Sequence, residues 1–143
     1  MNYSSRPKVL ITIAVLTGLT IPRAQGLLFL PTLEMVGGSS PDAWLAPWVT
    51  DAILGLLVPV VIYALLKKTG ASTWGLILVY SAIGAFDHAN GMVTEWLTPL
   101  PVETAGPALV FGSLIATISF QLAAIVLLFR KDVRAYFMAA NNA

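Results

Sequence analysis

The sequence predicts an all-α protein: an integral membrane bundle of four transmembrane helices with both termini in the cytoplasm. Three observations predict it. Apolar residues make up 57% of the 143-residue chain and charged residues only 10%, against about 25% charged in an ordinary globular domain. The mean hydropathy is +0.82. The apolar residues also fall into four runs of about 20 residues, the length that crosses the hydrocarbon core of a bilayer. A soluble fold this short could not hide so much apolar surface, so lipid is the expected solvent.

The runs are read over residues 9–30, 44–66, 73–97 and 107–129. Turn chemistry separates them: G-G-S-S-P-D from Gly37, K-K-T-G-A-S from Lys67 and T-P-L-P-V-E-T-A-G-P from Thr98. None of these connections is long enough to fold by itself, so residues 1–143 are expected to form a single transmembrane domain with short tails at 1–6 and 135–143. The first run also resembles a signal peptide. Arg6 and Lys8 supply a basic start, and Ala24-Gln25-Gly26 an imperfect cleavage site. Residues 27–30 prolong the apolar stretch beyond that site, and the run is read as an uncleaved helix; removal would leave three spans with the same orientation.

Lysine and arginine set the orientation. Arg6 and Lys8 precede the first run, Lys67 and Lys68 follow the second, and Arg130, Lys131 and Arg134 follow the fourth. With an even number of spans these sites share one side, which the positive-inside rule makes cytoplasmic. Glu34, Asp42 and Glu103 fall on the other side. Trp44, Trp48, Trp74 and Trp96 stand near run ends and are expected as interfacial anchors. The expected setting is a multi-pass protein of a bacterial-type inner (cytoplasmic) membrane.

The eighth basic residue, Arg23, lies inside the first run. Counting about 1.5 Å of rise per residue places Arg23, Asp51, Asp87 and His88 at roughly the same height, with Ser113 to Thr117 level with them on the fourth run. An ionisable group at the bilayer centre costs roughly 2.5–3.5 kcal/mol on insertion scales, so these side chains should face one another or water. Helical periodicity agrees. Tyr80, Gly84, Asp87, His88, Gly91 and Glu95 share an arc, as do Asp51, Gly55 and Pro59, Ser113, Thr117 and Gln121, and Thr12, Leu16, Leu19 and Arg23. Ala108, Gly112 and Ala116 form a small-residue edge suited to close helix contact. Pro22 and Pro59 free the carbonyls of Gly18 and Gly55. The carbonyl of Gly55, one turn from Asp51, is expected to help make the second span a ligand wall.

The candidate site residues are therefore Arg23, Asp51, Asp87, His88 and Glu95, with Tyr80, Asn90, Ser113, Thr117 and Gln121 as secondary candidates. Arg23 either locks the bundle by pairing with Asp51 or Asp87, or anchors an anionic head group. Asp87 and His88 could relay protons, bind a cation, or ligate a metal or a chlorin through the one imidazole. No metal site is assigned, no cofactor is required, and Glu95 is expected at the interface beside Trp96 or at a pocket rim. There is no cysteine, which excludes disulfides and thiol chemistry. No phosphate loop, zinc-protease helix or serine elbow is present, so no catalytic residue is assigned, and nothing points to nucleic acid. The partners expected are the bilayer and either other membrane subunits or a second copy. The leading expectation is a binding or transport-type protein with an outward-facing polar pocket for a small ligand, lipid or ion. The alternative is an accessory subunit of a larger membrane complex, with a membrane-embedded enzyme or a pigment-binding subunit ranked after it.

Overall fold

The computed structural model describes residues 6–139, and every regular element among them is helical. The helices are α1 (Val9–Gly18), α2 (Gly26–Phe29), α3 (Leu33–Val36), α4 (Asp42–Lys67), α5 (Ala71–Leu97), α6 (Pro107–Leu128) and α7 (Lys131–Met138). Short 3₁₀ turns join α1 to α2 (Ile21–Gln25) and α2 to α3 (Leu30–Thr32). Four stretches are long and apolar enough to cross a membrane: Val9–Val36, Asp42–Lys67, Ala71–Leu97 and Pro107–Leu128. Side chains that point outward are themselves apolar: Phe86 is 68% exposed and Val126 69%, with Ile11, Leu56 and Val60 alongside. Four such helices with an apolar outer surface suit a multi-pass membrane protein.

Local chemistry explains the boundaries. Asp42 opens α4 and Lys67 closes it, each matching the helix dipole at its end. Gly70 turns the chain into α5 with φ +98°, a value that favours glycine. Pro107 begins α6, where a missing N–H costs nothing. Two clusters form the core. At the end carrying Lys8, Lys67 and Arg130, here termed the basic end, Leu10, Ile13, Val61, Leu65, Ile77 and Leu128 pack together. At the opposite end Trp44, Trp48, Leu100 and Val110 pack with Phe29, Leu30 and Leu33.

The first span departs from expectation in being broken. It runs on to Val36 and comprises three short helices rather than one. A proline stands at the start of each 3₁₀ turn, Pro22 in one and Pro31 in the other. Neither can donate to the carbonyl four residues back, which weakens the α-helix at each point; α4 runs on through Pro47 and Pro59, whereas the first span breaks at both of its prolines. The break also moves the inward face. Leu10, Ile13, Thr17, Thr20 and Arg23 are buried, whereas Thr12 and Leu19 are exposed. An α-helix turns about 100° per residue, so Arg23 would stand some 60° short of Thr20. The 3₁₀ turn advances about 120° per residue and brings the two side chains into line.

Three smaller departures concern tryptophans, a proline and the C-terminal segment. Trp44 and Trp48 are only 3% and 7% exposed, because the broken first span folds over the end of α4 and covers their rings. Trp96, by contrast, is 79% exposed. Pro59 faces outward, so the α4 stripe narrows to Asp51, Gly55 and Val58. Residues 135–138, expected as tail, belong to α7, whose Val133 and Phe137 are fully buried against the basic end. Their i, i+4 spacing gives this short helix one apolar face. The remaining tail expectations, at 1–5 and 140–143, lie outside the described residues.

Candidate functional site

Three elements meet between the two core clusters, and glycines let them approach. The 3₁₀ turn carrying Arg23 lies against α4 at Gly55, where an added Cβ would fall 2.6 Å from the Cα of Ala24 and closer still to its nitrogen. One turn of chain later Gly26 lies against the carbonyl of Trp48 in the same way. On α5, a Cβ at Gly84 would stand 2.7 Å from Nη1 of Arg23 and 2.8 Å from Nε2 of Gln121. Gly84 is thus the space that admits the guanidinium.

That guanidinium forks between two helices. Nε donates to Oδ1 of Asp51 at 2.7 Å and Nη2 donates to Oδ2 of Asp87 at 2.7 Å. The Arg23 side chain is 2% exposed, that of Asp87 11% and that of Asp51 22%. The cation therefore sits behind and the carboxylates in front. His88 donates from Nδ1 to the carbonyl of Gly84 at 3.1 Å; a carbonyl only accepts, so the proton is on Nδ1 and Nε2 is bare in the neutral ring. The same Nδ1 stands 3.9 Å from Oδ1 of Asp51, too far for a hydrogen bond. Towards the basic end the Tyr80 hydroxyl donates to the Leu54 carbonyl at 3.1 Å and lies 3.4 Å from that of Thr20. Thr17 Oγ1, Arg23 Nη1, Ser81 Oγ and both amide atoms of Gln121 are buried without a protein partner among the described residues.

The carboxylates front a cavity of about 350 Å³, within the size range of small-molecule sites. Asp51, Asp87, His88 and Gln25 supply polar lining. Phe29, Trp44 and Trp48 form an aromatic wall, and Leu109, Val110 and Leu114 an aliphatic one from α6. The rings of Phe29 and Trp48 are 5.3 Å apart and those of Trp44 and Trp48 5.8 Å, both tilted. Asp51, Asp87 and His88 each offer one ligand atom, all within 4.8 Å of one another, and these are the residues that could hold a metal ion. Both carboxylates already accept from Arg23, whose positive charge opposes a divalent ion there. The bare Nε2 of His88 is the atom that would ligate a metal or a chlorin.

The structure thus brings together Arg23, Asp51, Asp87 and His88, and the α5 stripe from Tyr80 to Glu95 is a buried face. Glu95 is placed elsewhere. It is 2% exposed, and Oε2 accepts the backbone N–H of Leu100 at 3.0 Å. It seats the loop after α5 rather than lying at the interface. Because Leu100 and Thr104 of that loop line the cavity, Glu95→Ala is expected to lower thermal stability in detergent by about 1–2 kcal/mol, the cost of an unpaired buried N–H, while Glu95→Gln keeps most of it. Equal melting temperatures for the two variants would remove this role.

Among the secondary candidates, Ser113 lines the cavity and donates to the Val110 carbonyl, and Thr117 donates to that of Ser113. Gln121 is buried beside Gly84 and Arg23, whereas Asn90 is exposed. The aromatic wall was not expected from the sequence, although Trp44, Trp48 and Asp51 stand at i, i+4 and i+7, one helical face. Comparison of the chain with protein-family models, with curated proteins and with solved structures finds no match.

Proposed function

We propose that this chain is a small multi-pass membrane protein whose pocket binds a small organic molecule, in the manner of a binding or transport-type protein. One observation carries the reading: buried ionisable groups front a cavity whose other walls are aromatic and aliphatic. Ligand sites commonly combine a few convergent polar groups with an apolar lining, and ionisable groups within a membrane mark function by default. With the basic end in the cytoplasm, as the positive-inside rule directs, the pocket lies in the outer half of the bilayer. The apolar cluster capped by Val133 and Phe137 closes the route to the basic end, so ligand enters from the opposite side. Arg23 stands behind both carboxylates, which favours the counter-ion reading over an anchor for an anionic head group.

An accessory-subunit role has its own support. Ala108 and Gly112 are exposed on α6, and no atom lies within 4 Å of a Cβ built at Gly112, so a partner helix could approach closely there. Native mass spectrometry of the full chain, released from mild detergent, separates the two. The pocket reading expects a stable small-molecule adduct that disappears in Asp87→Asn and in Ser113→Trp, the latter filling the cavity from α6. A bare chain accompanied by a stoichiometric membrane subunit, unchanged in both variants, would overturn it in favour of the accessory role.

A further inference from the structure

The charges around the cavity do not balance. The 3₁₀ turn brings one cation, Arg23; α4 brings Asp51; α5 brings Asp87 and His88; the facing stretch of α6 brings only Ser113, Thr117 and Gln121. Every other lysine and arginine belongs to the basic end. The neutral imidazole, which donates Nδ1–H to the Gly84 carbonyl and stands 3.9 Å from Asp51, adds no charge to close the gap. Two carboxylates thus share one guanidinium; with both ionised, one negative charge is left unmatched, and it lies on the side facing the cavity. An unmatched charge in low dielectric is costly, and a cation placed before it removes that cost.

Resting on the pocket reading, we infer that the ligand is an organic monocation, an ammonium-type head on an aromatic or alkyl body. The head faces Asp51 and Asp87; the body lies along Trp48 and Phe29. Trp48 is one turn from Asp51 on the same face of α4, and tryptophan is the side chain that best attracts a cation through its ring face. A single positive charge neutralises the layer, whereas a divalent metal would leave it positive beside Arg23. The aliphatic wall of Val110 and Leu114 offers no oxygen ligands, which a bare inorganic cation needs in number, but suits a hydrocarbon body.

The test uses the full chain in phosphatidylcholine nanodiscs, titrated by calorimetry and tryptophan fluorescence with four probes: phenethylammonium, its neutral counterpart 2-phenylethanol, phenylpropanoate and Zn²⁺. Phenethylammonium is expected to bind saturably and at least about tenfold more tightly than the alcohol. Asp87→Asn is expected to remove that preference, with Asp51→Asn as an independent check should either variant fold poorly. Trp48→Leu is expected to weaken ammonium binding by roughly three- to thirtyfold. Equal binding of alcohol or carboxylate, binding of Zn²⁺ alone, or an ammonium preference that survives in folded Asp87→Asn and Asp51→Asn would overturn the cation assignment. Of these, binding of the neutral or anionic probe leaves the pocket reading standing. No binding of any probe, with no co-purified adduct, would overturn both.

Discussion

Arg23→Ala is expected to be the most damaging single substitution in this chain, lowering stability by about 3–5 kcal/mol, the range for breaking a buried ion pair from one side. The reason is what it leaves behind. Asp51 and Asp87 lose their donors at once and face each other in a layer with no other cation among the described residues. Arg23→Lys should recover only part of the loss, because one ammonium cannot reproduce a rigid fork reaching two helices. Pairing Arg23→Ala with Asp87→Asn should be milder than the two single effects added together, since the second change removes a charge that the first has stranded. Thermal unfolding in detergent, arranged as a double-mutant cycle, measures this coupling. An additive cycle, or an Arg23→Ala protein that melts with the parent, would show that the fork does not hold the bundle.

Gly55→Ala is expected to have the next largest effect, a loss of about 3 kcal/mol, near the upper end for overpacking a core. The added methyl would meet backbone atoms of Ala24. Backbone cannot swing aside as a long side chain can, so the turn bearing Arg23 must lift from α4 and pull the guanidinium off Asp51. Gly75 and Gly112 provide the comparison, since nothing lies within 4 Å of a Cβ at either. Alanine there should be neutral or stabilise by up to about 1 kcal/mol through helix propensity. The three melting temperatures decide the matter: a Gly55→Ala protein as stable as Gly112→Ala would mean that the close approach is dispensable.

How much of the bundle and its polar layer was legible in the residues varies from helix to helix. On α5 the polar stripe emerged from spacing alone, because an unbroken helix keeps its 3.6-residue period over its whole length and every member from Tyr80 to Glu95 is buried. On the first span the same counting misjudged the inward face. Pro22 opens a 3₁₀ turn that rotates Arg23 relative to the face of α1, so counting back from Arg23 at the α-helical period picks the wrong residues. Heights survived that error better than angles, since a short 3₁₀ stretch alters rise by only about 0.5 Å per residue; hence Arg23, Asp51 and Asp87 were matched by depth. The tryptophans were misread for another reason. Position near a run end is the usual mark of an interfacial anchor, and only tertiary contact with the folded-over first span reveals Trp44 and Trp48 as pocket wall. Glu95 likewise needed the loop to be seen, because its partner is a backbone N–H five residues away.

The fork at Arg23 also bears on how the chain is made. Arg23 is synthesised 28 residues ahead of Asp51 and 64 ahead of Asp87. At about 5–20 residues per second, the first span meets the bilayer seconds before its second partner exists. Until α5 arrives, that span carries a guanidinium with at most half its final company, and the pairing that locks the first three spans can form before α6 and α7 are made.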